Sequence, residues 1–188
     1  MADLLATPAN LQALPGLSEL STETATALLE IATAVVQDCE EVQQDLVAVV
    51  DDTAEIMGTV DSWLDLPQRD VTAIESVTVD GEAVTDFQRY GGRLWRECGW
   101  AASPHKPSTV VVVYSHGRAY GHRRLRLAKS AALMLAASQA GGEAGVQQEE
   151  IDDYKVVYER MVTVLENATH LRRSLRKRYG RRGGYVRV

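Results

Sequence analysis

Residues 71–79 read Val-Thr-Ala-Ile-Glu-Ser-Val-Thr-Val and run directly into Asp80-Gly81. Val71, Ala73, Val77 and Val79 occupy odd positions with Thr72, Ser76 and Thr78 between them, and Glu75 is the one odd position that is charged. A period of two is the mark of a strand with one face buried. Asp-Gly is the strongest short hairpin signal, because both central residues of a type I′ turn need positive φ. A second pair, Gly91-Gly92, supports another turn ahead of Trp95 and Trp100, and Val110-Val111-Val112-Val113-Tyr114 reads as a further strand. The block from Leu66 to Gly117 therefore predicts an antiparallel meander, one face in a core and the other in water or against a partner.

The flanks are helical in pattern. Thr7-Pro8 places an N-cap before a proline at the first helical position, and Pro15-Gly16 ends that helix, giving residues 7–14. Ala25, Leu28, Leu29, Ala32, Val35, Val36 and Cys39 follow the i, i+3, i+4 rhythm and predict a core-packing helix over 22–38. Leu125, Ala128, Ala132, Leu135 and Ala136 predict another over 124–140, stopped by Gly141-Gly142. Residues 151–179 read two ways. Ile151, Tyr154, Tyr158, Met161, Leu165, Ala168, Leu171 and Leu175 fit one continuous helical stripe. Thr163-Val164-Leu165-Glu166 instead has the form of a capping box, which starts a helix at Thr163 and predicts 164–179 with Gly180 just beyond. Leu46 to Val50 is also ambiguous between helix and strand, with Asp51-Asp52 a plausible turn. The fold class is α+β: a small helical bundle with an inserted antiparallel β-meander. At 188 residues there is room for one domain, with or without arms.

No constellation of catalytic residues stands out. Ser115-His116 are neighbours on a strand and point to opposite faces, which is a poor nucleophile–base pair. His105, His116, His122 and His170 share no ligand spacing with one another or with Cys39 and Cys98, so neither a metal nor a cofactor is expected. The pairs Glu40-Glu41, Asp51-Asp52, Glu149-Glu150 and Asp152-Asp153 read as solvated turns and faces. Gly91-Gly92 lacks the Lys and Ser/Thr of a phosphate loop. Two distant cysteines fit a reduced, cytosolic history. No apolar run is long enough for a membrane span, and Asp3 with no basic stretch argues against a secretory signal.

The charge is divided along the chain. Residues 1–100 hold nineteen carboxylates and four Arg/Lys, whereas residues 101–188 hold seven and sixteen, within a net charge of −6. Arg123, Arg124 and Arg126 stand at the start of a predicted helix, where positive charge opposes the macrodipole. Arg172, Arg173, Arg176, Lys177, Arg178, Arg181, Arg182 and Arg187 give the C-terminal end eight cations and no carboxylate after His170, with Tyr185 and Val186 as apolar anchors. These are the candidate partner-binding residues, because a basic end can meet an acidic partner, nucleic acid, or another copy of the chain. The segment 181–188 has no core pattern and reads as an arm, disordered in the free protein.

The phrase Leu66-Pro67-Gln68-Arg69-Asp70-Val71-Thr72-Ala73-Ile74-Glu75-Ser76-Val77-Thr78-Val79-Asp80-Gly81 resembles the central motif of tailed-bacteriophage head–tail connector proteins, also called adaptor or head-completion proteins. Leu94-Trp95-Arg96, Gly99-Trp100, Val113-Tyr114-Ser115-His116-Gly117 and Ile151 to Tyr158 follow in that family's order, so the resemblance runs from about Leu5 to Tyr179. It implies a single connector domain over 1–180 with a β insertion at about 45–115, a hairpin near 46–57 and an extended strand at about 151–160. It implies a structural virion protein, made in the host cytoplasm, that forms a ring of about twelve subunits under the portal. The ring would extend the DNA channel without reading sequence, dock the next neck or tail component, and reach the portal with the arm 181–188. The family commonly marks the turn after its Tyr-x-His-Gly strand with proline, and here Arg118-Ala119-Tyr120-Gly121 stands instead. The alternative is a nucleic-acid-binding accessory protein that uses the basic C-terminal tail.

Overall fold

A computed structural model describes residues 4–103, 105–140 and 154–180. The chain forms two compact units, Met1–Gln43 with Tyr120–Val188 and Gln44–Ala119. The first is helical among its described residues and the second is built of strands, so the fold is α+β.

In the helical unit, α1 (Pro8–Gln12) opens with a reciprocal cap: the Asn10 N–H donates to Thr7 Oγ1 (3.3 Å) and the Thr7 N–H donates to Asn10 Oδ1 (3.3 Å). This helix ends two residues short of the expected 7–14, at an Ala13 cap. α2 (Thr22–Asp38) begins at Ser21, whose Oγ accepts the Thr24 N–H (3.1 Å), and buries Ala25, Leu28, Leu29, Ala32, Val35 and Val36 on its predicted face. Residues 124–140 divide into a 3-10 turn, Arg123–Leu125, and α3 (Arg126–Ala140). The cap at this entry comes from an imidazole, His122 Nδ1 accepting the Arg124 N–H (3.2 Å). α3 buries Ala128, Ala131, Ala132, Leu135 and Ala136, and small side chains along one face permit close helix approach.

The C-terminal helices overturn two expectations. The strand at about 151–160 is absent from the described part, where α4 (Tyr154–Asn167) runs through instead. Thr163 does not start a helix: its hydroxyl donates back to the Glu159 carbonyl (3.0 Å) in mid-helix, the competing use of a threonine side chain. Within α4 the helical stripe prevails, with Met161 and Leu165 buried on it and Val157 buried beside them, but it does not continue unbroken to Leu175. The break falls at Ala168 (φ −84°, ψ 61°), after which α5 (Thr169–Tyr179) buries Leu175 and Tyr179. Gly180 caps α5 with its N–H on the Arg176 carbonyl (2.9 Å) and a φ of −59°, so it is the C-cap itself and not a left-handed residue beyond it. Gly141-Gly142, Ile151 and the arm 181–188 lie outside the described residues.

In the strand unit, β1 (Val49–Gly58), β7 (Ser108–His116), β3 (Val71–Val79) and β4 (Glu82–Ala83) form one antiparallel sheet in the order β1-β7-β3-β4. β2 (Trp63–Asp65), β6 (Arg93–Trp95) and β5 (Gln88–Tyr90) form a second, in the order β2-β6-β5. The hairpin expected near 46–57 is instead one ten-residue edge strand, β1. Asp51, read as part of a turn, sits in a bulge between Val49 and Asp52 with φ +54°. Glu75 is the charged odd position in β3 because of a further irregularity there: the register jumps between Ile74 and Ser76, as it also does between Val71 and Ala73, which leaves Glu75 exposed. Asp80 and Gly81 take φ of +51° and +88° between paired Val79 and Glu82, as a type I′ turn requires. Gly91-Gly92 closes the β5–β6 hairpin, with Tyr90 paired to Arg93.

The core of this unit comprises Leu64, Leu66, Val77, Val79, Leu94, Trp100, Val110, Val112 and Tyr114. Trp100 is fully buried, with its Nε1–H on the Ser62 carbonyl (3.1 Å) and its backbone N–H on Thr59 O (2.7 Å). That approach needs a glycine at position 58, where a Cβ would lie 2.0 Å from the Trp100 carbonyl oxygen.

Candidate partner-binding surfaces

Tyr179 joins the two basic segments of the helical unit. It is the last residue of α5, and its phenol accepts the Ala128 N–H (3.3 Å) and donates to the Arg124 carbonyl at the entry to α3. Burial pushes the Tyr179 pKa upward, which keeps the donating proton in place. The clamp draws the last turn of α5 to the first turn of α3. Arg123, Arg124 and Arg126 on one side and Arg176, Lys177 and Arg178 on the other are all exposed and form one basic pole. The three cations on α5 suit the negative end of that helix dipole. The arginines at the α3 entry do not, since a helix start is already positive and α3 has no acidic residue in its first turn.

Arg172 is not part of this pole. Its guanidinium lies 2.7 Å from Glu41 and 3.6 Å from Glu40, at a groove of about 430 Å³ also lined by Val35, Cys39, Tyr158 and Leu165. Glu41 raises the Arg172 pKa further. Arg172 thus ties α5 to the segment after α2, a structural duty. In the same groove, burial first and the Glu41 charge second push the Cys39 thiol up, away from the reactive thiolate. Arg173 is exposed. Arg181, Arg182, Tyr185, Val186 and Arg187 lie outside the described residues.

The strand unit carries a surface of different chemistry, which the sequence analysis did not single out. On the β2-β6-β5 sheet, Leu64 and Leu94 turn into the core. The alternate positions Trp63, Trp95, Gln88, Asp65, Arg93 and Tyr90 form cross-strand pairs on the opposite face. Trp63 and Tyr90 are 42% and 54% exposed and meet edge to face at 5.4 Å. The Arg93 guanidinium stacks over the Trp63 ring at 4.9 Å while Nε pairs with Asp65 Oδ1 at 2.5 Å. Met57 and Val60, just ahead of Trp63 in the chain, are also exposed. The signal was available in the alternation around Trp63 and Trp95, but three-residue strands are too short to read as strands from periodicity alone.

His116 meets an acid partner that its sequence neighbours do not reveal. Nε2 lies 3.1 Å from Asp52 Oδ2, and the imidazole is wholly buried. Ser115 points elsewhere, its Oγ accepting the Asp51 N–H (3.3 Å) across the β1 bulge. With no solvent access to the ring, the pair serves to pin the bulge. Among the described residues no three His, Cys, Asp or Glu side chains converge as a metal-ligand set. Nor is any helix there long and apolar enough to cross a membrane.

Comparison with known proteins gives structural similarity only. No protein-family model and no curated protein matches the chain. It is similar to a chain in the neck of the native gene transfer agent (GTA) particle computed with C12 symmetry, at 12% identity and TM-score 0.44, covering 82% of this chain and 89% of that one. It is also similar to a chain in the virion of the native GTA particle, at 16% identity and TM-score 0.48, covering 84% and 89%. A chain in the neck of the empty GTA particle, computed with C6 symmetry, matches at 13% identity and TM-score 0.46, covering 84% and 88%.

Proposed function

We propose that this chain is a structural virion protein of the phage head–tail connector type, a single connector domain with an arm. Copies would form a ring beneath the portal, extend the DNA channel and dock the next neck or tail component. The observation that carries the reading is where the connector-like segments lie. Leu66 to Gly81 is the entry to β3 and its hairpin, Leu94-Trp95-Arg96 is centred on β6, Gly99-Trp100 plugs the core, and Val113 to Gly117 ends the central strand β7. All are scaffold positions, and they support the presentation of surfaces more than they support a catalytic pocket. Two exposed surfaces of unlike chemistry, the basic pole and the aromatic sheet face, fit a subunit that meets several neighbours at once. The arm 181–188 would engage the portal.

Mixing the protein with the portal of its own particle and weighing the product by native mass spectrometry tests this. The expected product is one portal with a full ring of added subunits. A portal that stays bare at every ratio rejects the reading. The basic pole also keeps the nucleic-acid accessory reading in play, and its signature is a steep loss of DNA affinity with added salt.

A further inference from the structure

The ring reading leaves open which surfaces of the chain meet. We propose that the aromatic outer face of the β2-β6-β5 sheet in one copy receives the basic pole at the α3 entry and α5 end of a second copy. This rests on the ring reading and names its contact.

Three observations converge. The face is built of Trp, Tyr and Arg side chains, the residue types that carry most binding energy at protein interfaces. One guanidinium already uses this chemistry, Arg93 of the same chain lying over Trp63 and against Asp65, while the Tyr90 ring, 54% exposed, still presents an open aromatic surface to an incoming cation. The strand unit as a whole is acidic, with twelve carboxylates against six Arg/Lys in residues 44–119, and Asp61 beside the face is exposed. The complementary surface is the pole of Arg123, Arg124, Arg126, Arg176, Lys177 and Arg178, where the arginines that open α3 lie against the helix dipole. The acidic unit disfavours the other common use of an aromatic sheet face, stacking of single-stranded nucleic acid. The two surfaces are different, so the contact is heterologous: each copy offers one face and one pole, and repetition yields a ring or a filament.

The test uses four samples. The face variant carries Trp63→Ala and Tyr90→Ala, both at exposed positions. The pole variant carries Arg123→Glu and Arg126→Glu, which place carboxylates where the helix start favours them. Wild type, each variant alone and an equimolar mixture are sedimented at low and high salt. Wild type is expected to associate at low salt and to fall apart at high salt. Each variant alone is expected to stay monomeric. The mixture is expected to stop at dimers, because one intact face meets one intact pole and only the altered surfaces remain. Tyr90→Lys, a single change that puts like charge on the face, gives the same loss if the double face variant folds poorly.

A wild type that is monomeric at the lowest salt overturns the contact, as does a mixture that stays monomeric or a variant that associates like wild type. Rings formed on the portal equally well by the face variant overturn the contact and leave the ring reading standing. Mixed dimers together with a bare portal keep the contact and reject the ring. An oligonucleotide bound by wild type and not by the face variant, with self-association unchanged, reassigns the face to base stacking and overturns the proposal.

Discussion

Arg118 holds Asp70 by both carboxylate oxygens, Nε to Oδ2 at 3.1 Å and Nη2 to Oδ1 at 2.8 Å. The pair joins the second residue past β7 to the residue just before β3. The Gly117 N–H on the Asp70 carbonyl (3.0 Å) and the Arg118 N–H on the Leu46 carbonyl (2.9 Å) close the same corner. This two-pronged ion pair fastens the end of the strand where the chain enters Arg118-Ala119-Tyr120-Gly121. Asp70 is the main cause that raises the Arg118 pKa. Both side chains are about a third exposed, which moderates the energy. Arg118→Ala should cost about 1–2 kcal/mol, and Asp70→Asn a similar amount. Urea unfolding of both single variants and the double variant measures the coupling, and strictly additive losses would show that the two groups do not act together.

Tyr179→Phe tests the clamp beneath the basic pole. It removes the oxygen that serves both Ala128 and Arg124 while keeping the ring in place. The expected loss is about 1–2 kcal/mol, because a buried amide donor is left without its acceptor. Amide exchange at Ala128 should speed up relative to the α2 core, and unchanged exchange there would place the clamp's contribution elsewhere.

Alkaline stability should follow Tyr114. This residue is fully buried in the central strand, and burial first, with the Asp52 carboxylate second, pushes its pKa up to about 12. The folded state then keeps its proton when the unfolded chain, titrating near 10, has released it. Stability is therefore complete below about pH 10 and declines as pH rises towards 12, by on the order of 2 kcal/mol. Tyr114→Phe should flatten that decline in denaturant titrations across this range. An equally steep decline in the variant would assign it to other groups.

What the sequence disclosed depended on how far apart the deciding residues lie. The α2 boundaries and the Asp80-Gly81 turn are set within a few residues, by the Ser21 cap and by positive φ. β1 is decided by its pairing with β7, about sixty residues away, which draws Val49 to Gly58 into one strand and turns Asp51 into a bulge. α4 misled because two local rules competed at Thr163, and burial of Met161 and Leu165 chose between them. Of the candidate site, the cations were legible and their grouping was not. Arg172 proved to be tied to Glu41, 131 positions earlier. The union of Arg123, Arg124 and Arg126 with Arg176, Lys177 and Arg178 depends on Tyr179 reaching the α3 entry.

Gly81→Val isolates a conformational cost from a steric one. A Cβ at Gly81 meets nothing within 4 Å, so only the φ of +88° penalises the substitution. A β-branched residue held there should cost about 1–3 kcal/mol. Gly81→Asn should cost clearly less, because Asn tolerates the left-handed region. Thermal melts of the two variants beside the parent make the comparison, and equal melting of Val and Asn variants would mean that the turn relaxes to another form.

Deleting residues 181–188 separates folding from attachment. The segment carries Arg181, Arg182 and Arg187 with Tyr185, Val186 and Val188, and it lacks a periodic apolar face. The described fold already closes at Gly180, whose N–H caps α5. The melting temperature should therefore stay nearly unchanged on deletion. Portal binding should be lost. An arm that takes a fixed path along a partner gives up roughly 1–2 kcal/mol of backbone entropy per residue, so the full segment and its anchors are needed to exceed that cost. Gly183-Gly184 allows a bend, after which Tyr185 and Val186 can enter apolar pockets while the arginines meet acidic groups. A pull-down with the portal beside a melt of the truncated protein reads both effects. Normal portal binding by the truncated chain rejects the arm. Loss of DNA binding in parallel with loss of infectivity, with the portal contact intact, favours the nucleic-acid reading instead.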